Sequence, residues 1–93
     1  MAGFSPESLA RIQKELNATP AGNSDFDFRL STDEISARYL RSEGIEIRFD
    51  GARYLCTQRL ERSTQYFEIP DEAQAVEKFL RIARHRKAEI LPY

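Results

Sequence analysis

Ile45-Glu46-Ile47-Arg48-Phe49-Asp50-Gly51-Ala52-Arg53-Tyr54-Leu55-Cys56 is the stretch on which the fold turns. Apolar and polar residues alternate on either side of Asp50-Gly51, the dipeptide favoured in a two-residue type I′ hairpin turn because both central positions need a positive φ. A turn of that length sets the register: Phe49 opposite Ala52, Ile47 opposite Tyr54 and Ile45 opposite Cys56, all on one face, the core side. Glu46, Arg48, Arg53, Leu55, Thr57 and Arg59 then share the other face, with Arg48 directly across from Arg53.

Downstream, Glu61, Arg62, Ser63 and Thr64 read as a turn, and residues 65–69 as a further strand with Phe67 and Ile69 inward. Pro70, Asp71 and Glu72 open a helix whose core stripe is Ala73, Val76, Phe79, Leu80 and Ala83. Arg84, His85, Arg86 and Lys87 crowd its last turn, where cations complement the helix dipole. Residues 88–93 read as a short tail.

Upstream, Ser5 is placed as an N-cap, Pro6 at the first helical position, Glu7 in the first turn, and Phe4 to staple onto Leu9. Leu9, Ile12 and Leu16 make the helix amphipathic to about Asn17. Residues 19–24 are breaker-rich, so this helix either packs loosely or docks on a partner instead of its own sheet. Phe26, Phe28 and Leu30 alternate with charged residues as a short strand. Ser31 to Glu34 has the form of a capping box, with Leu30 and Ile35 as staple, and predicts a second helix to about Ser42. Its apolar side is Ile35, Tyr39 and Leu40, and Gly44 is its left-handed stop.

The predicted class is α+β: a small antiparallel sheet, a three-strand meander plus one further strand, with helices packed on one face and the other face wet. A chain of 93 residues is expected to form a single domain over residues 1–93. Within it, residues 1–24 are the capped helix and linker and residues 25–93 the main core.

Hydrophobic residues at 41% and charged residues at 31% suit one core and exclude a disordered chain. No apolar run approaches a membrane span and the start lacks a signal peptide's features, so the expectation is a cytoplasmic protein with no membrane partner. Cys56 as the one cysteine agrees with a reducing compartment. A lone Cys and a lone His cannot build a zinc site, and no calcium-loop spacing or glycine-rich phosphate loop is present, so no metal or cofactor is expected. Cys56 falls on the core side and His85 in a solvated helix end. Asp25 and Asp27 share a strand face, but alternating charge there is what a solvated strand carries. The chain reads as a non-enzyme.

A net charge of −1 announces no polyanionic partner. It hides an asymmetry, acidic over residues 1–37 and basic over residues 38–93, with most of the basic side chains arginine. The predicted binding strip is Arg48, Arg53, Arg59 and Arg62 on the wet sheet face. Two arginines directly opposite one another destabilise a sheet, which makes sense if an anionic partner offsets the repulsion. The meander followed by Tyr66-Phe67-Glu68-Ile69-Pro70-Asp71-Glu72-Ala73 is similar in outline to the DNA-binding domains of plant ethylene-response factors and the arm-binding domains of phage-type integrases. That similarity implies a sheet laid in the major groove, with Arg48, Arg53 and Arg59 in the basic strand positions. The leading expectation is an interaction module that docks on another protein, in the manner of an accessory or inhibitor protein of a phage or mobile element. The alternative is a nucleic-acid-binding domain using the same arginine face.

Overall fold

Period-two alternation of apolar and polar side chains recurs along the middle of the chain, and there it builds one antiparallel meander. The computed structural model describes residues 3–40 and 42–89. Their order is α1 (Pro6–Ala18), β1 (Asp27–Leu30), β2 (Glu34–Leu40), β3 (Glu43–Phe49), β4 (Tyr54–Leu60), β5 (Ser63–Ile69) and α2 (Glu72–Ala88). The five strands lie in sequence order, β1-β2-β3-β4-β5, with α2 packed on the sheet and α1 against α2. The class is α+β as expected, but with five strands and two helices among the described residues instead of four strands and three helices. Of the expected tail, residues 90–93 lie outside the described residues.

The largest difference is at Glu34–Leu40, a strand where a helix was expected. Ile35 and Tyr39 fit either period, four apart on a helix or two steps of two on a strand. Ala37 decides it: Ile35, Ala37 and Tyr39 are all buried on the helix-covered side of the sheet. The apparent capping box is a hairpin turn. Ser31 Oγ accepts from Glu34 N (3.1 Å), and Ser31 N donates to Glu34 O (2.9 Å), closing the chain between the paired Leu30 and Ile35. The same side-chain to backbone bond that starts a helix here ends a strand. Gly44, expected as a helix stop, lies inside β3.

The central hairpin exists, with its register moved. Phe49 pairs with Tyr54, Ile47 with Cys56 and Ile45 with Gln58, so residues 50–53 form the connection. Asp50 Oδ1 accepts from both Ala52 N and Arg53 N at 2.9 Å, and Asp50 N donates to Arg53 O (3.1 Å). An Asp side chain that folds over the turn in this way needs the longer loop. Only Gly51 takes a positive φ, 101°. The shift is by an even number of residues, so Ile45, Ile47, Tyr54 and Cys56 stay inside. Ala52 leaves the core for the exposed loop, and Arg48 now faces Leu55 instead of Arg53.

Both helices start as their sequences direct. Ser5 Oγ accepts from Ser8 N (3.2 Å) ahead of Pro6, and Asp71 Oδ1 accepts from Gln74 N (2.8 Å). On α2 the buried stripe is Ala75, Val76, Phe79, Leu80 and Ala83; Ala75 replaces the exposed Ala73. The first helix is not free for a partner. Phe4, Ile12 and Leu16 are fully buried, and α1 lies against α2. Its linker is tied down as well: Gly22 N and Asn23 N donate to Lys87 O (2.9 and 3.0 Å), and buried Asn23 donates through Nδ2 to Tyr39 O (2.7 Å). Lys87 Nζ in turn donates to Leu16 O at the end of α1.

Candidate docking face

With both helices on one side, the outer face of the sheet is left to solvent, and the register writes it as rows. One row runs Asp27, Arg38, Gly44, Arg59, Thr64; the next runs Arg29, Ser36, Glu46, Thr57, Tyr66; a third runs Glu34, Arg48, Leu55, Glu68. Arg38 and Arg59 therefore flank a residue with no side chain, separated by two strand spacings, about 10 Å at Cα.

Gly44 is dictated by its neighbours. The β2 to β3 register shifts between Arg38 and Leu40, and a Cβ on Gly44 would lie 2.7 Å from Ala37 O. A close backbone approach at a bulge excludes any larger residue. Gly44 lines a shallow depression of about 460 Å³ whose rim includes Asp27, Arg29, Arg38, Glu46 and Arg59. Arg29, Arg38 and Arg59 are exposed and make no ion pair with any described residue. A forked guanidinium from each side of Gly44 can close on one carboxylate.

Carboxylates shape this face as well. Glu34 and Glu46 are diagonal neighbours across β2 and β3, and the Glu34 carboxyl is pushed above the ordinary glutamate range, by burial first and then by Glu46; the Arg48 charge opposes this. Acidic and basic groups are thus interleaved on the outer face, not segregated.

Of the sequence-predicted strip, Arg48 and Arg59 lie on the outer face, in different rows. Arg53 sits in the β3–β4 connection, where its Nη1 bonds Glu68 Oε1 (2.8 Å) and its Nε approaches Asp50 Oδ2 (3.6 Å). Arg62 lies in the β4–β5 connection, beyond the paired Leu60 and Ser63. The predicted repulsion between Arg48 and Arg53 does not occur. Arg38 was missed because its segment was read as helix; its signal was the Ile35, Ala37, Tyr39 alternation that puts Arg38 on the opposite face.

The basic end of α2 is occupied by structural contacts. Arg84 reaches Glu15 (3.3 Å), Arg86 reaches Glu89 (3.2 Å) and Glu43 (3.8 Å) and stacks over Tyr39, and Lys87 caps α1. Cys56 is buried against the helices and burial pushes its thiol pKa up, the opposite of what a nucleophile needs. Among the described residues no group of three His, Cys, Asp or Glu could hold a metal ion, and no helix is long and apolar enough to cross a membrane. Comparison with protein-family models, with curated proteins and with solved structures gives no match for this chain.

Proposed function

We propose that this chain is a non-enzymatic interaction module that docks on another protein through the outer face of its sheet, receiving an acidic side chain between Arg38 and Arg59. The observation that carries this reading is the pair of exposed arginines on either side of the Gly44 depression, neither in an ion pair with a described residue. A guanidinium that makes no ion pair with a described residue is a ready donor for a carboxylate, and two of them flank this opening.

The same rim favours protein over nucleic acid. Asp27 and Glu46 stand among Arg29, Arg38 and Arg59, so a phosphate backbone would meet like charge on the same rim. A protein surface can answer both signs, placing a carboxylate over Gly44 and basic groups beside Asp27 and Glu46.

The test of this class is recovery from the source cell on the immobilised chain, with nuclease treatment and rising salt in the wash. A defined protein retained after nuclease, and released gradually by salt, fits the proposal. Recovery of nucleic acid alone, with the steep salt dependence of phosphate contacts, would replace it with the DNA- or RNA-binding reading.

A further inference from the structure

The two edges of the sheet are built differently. β1 is four residues long and carries Asp27 and Arg29 as exposed charges, the usual protection against strand addition. β5 is seven residues, Ser63–Ile69, all exposed but the last. It holds no proline, its one charge is Glu68, and Tyr66 at its centre is 76% exposed. Such an edge offers a row of unpaired backbone donors and acceptors to another strand.

We propose that the occupant is a second copy of this chain, pairing β5 with β5 antiparallel about a two-fold axis through Tyr66. The strand is self-complementary in that register. Tyr66 meets its own symmetry mate, an aromatic cross-strand pair; Gln65 meets Phe67, Thr64 meets Glu68, and Ser63 meets Ile69, each on its own face. Every residue of β5 is used and no like charges are opposed.

Arg59 pairs with Thr64 in its own sheet, and Thr64 then lies beside Glu68 of the second copy. The register thus brings an opposite charge, not a like one, two strand spacings from Arg59 and leaves its guanidinium to the depression. A two-fold axis normal to the sheet keeps both outer faces on one side. The dimer therefore presents two Gly44 depressions together, which would raise avidity for a repeated or dimeric partner.

Sedimentation equilibrium on the full chain, from low to high micromolar concentration, tests this. The expected result is a monomer to dimer transition that Tyr66→Lys abolishes, with an unchanged circular dichroism spectrum. Thr64→Glu, which sets a carboxylate directly opposite Glu68 of the second copy, should act alike. Hydrogen exchange on the unmodified chain gives a readout independent of any variant: alternate β5 amides gain protection as concentration rises. A wild-type chain that stays monomeric throughout, as it would if β5 serves a strand of a different protein, overturns the proposal. So does a dimer that survives both substitutions, or one whose β5 amides exchange as fast as in the monomer.

Discussion

Arg38 and Arg59 occupy one cross-strand row with Gly44 between them, and the 2.7 Å that would separate a Gly44 Cβ from Ala37 O keeps that middle position bare. The irregularity in β2 thus lies beside the bare position between the two arginines. Gly44→Val tests it, because a branched side chain must push the two backbones apart as well as fill the opening. The expected loss is about 1 to 3 kcal/mol, as for overpacking elsewhere, read from a urea melt. A neutral substitution would mean that β2 and β3 are not held as closely as described.

Glu72 links the starts of the two helices. Its Oε2 accepts from Ser5 N (2.8 Å), Ser5 Oγ (2.9 Å) and Ser8 Oγ, and the Ser8 hydroxyl and Ser5 N–H bonds hold its carboxyl pKa below the ordinary range. A depressed folded pKa means that the unfolded chain takes up the proton first. The stabilisation is present above the unfolded pKa and is lost as pH falls through the folded one. Glu72→Gln should remove on the order of 1 to 2 kcal/mol at neutral pH, less than fully buried charge-assisted bonds because the site is partly solvated, and should flatten the acid limb. An acid limb of the same slope in the variant would contradict this.

Much of the frame was legible in the residues, and the errors share one origin. Ser5 with Pro6 and Asp71 announced both helices because capping is local chemistry, and Ile45, Ile47 and Cys56 announced core strands because alternation is local too. What failed was long-range. Ser31 and Glu34 make the bond expected of a capping box, but the flanking strands β1 and β3 decide that it closes a hairpin. Asp50-Gly51 marks the turn correctly, while its length depends on Asp50 Oδ1 capturing two amides. The docking face inherits both errors. Arg53 was placed opposite Arg48 by the shorter turn, and Arg38 was absent from the face because its segment was given the wrong period. Neither Arg38 nor Gly44 can be related to Arg59 until the register of three strands is known.

Tyr39 provides a test of the core. Its side chain is 0% exposed, and its hydroxyl has no hydrogen-bond partner among the described residues. Burial raises its pKa, and Arg86 lies over the ring, 4.9 Å from the centroid. Tyr39→Phe keeps the ring and the cation contact and removes the unsatisfied group, so stability should rise by on the order of 1 kcal/mol. A drop of that size on thermal melting would show that the hydroxyl is bonded after all.

The central claim is that a protein partner is held at the Gly44 depression, and the most direct measurement is the affinity of that partner for charge-reversed variants. Arg38→Glu and Arg59→Glu each replace an exposed cation that makes no ion pair with a described residue, so the melting temperature should stay close to wild type. Loss of a charge-assisted contact in a desolvated interface should cost about 2 to 5 kcal/mol of binding, seen as a 30-fold or greater weakening by titration calorimetry. Arg53→Glu, outside the depression, should weaken binding far less than either. Full affinity retained by the Arg38→Glu, Arg59→Glu double variant in a folded chain would contradict the account.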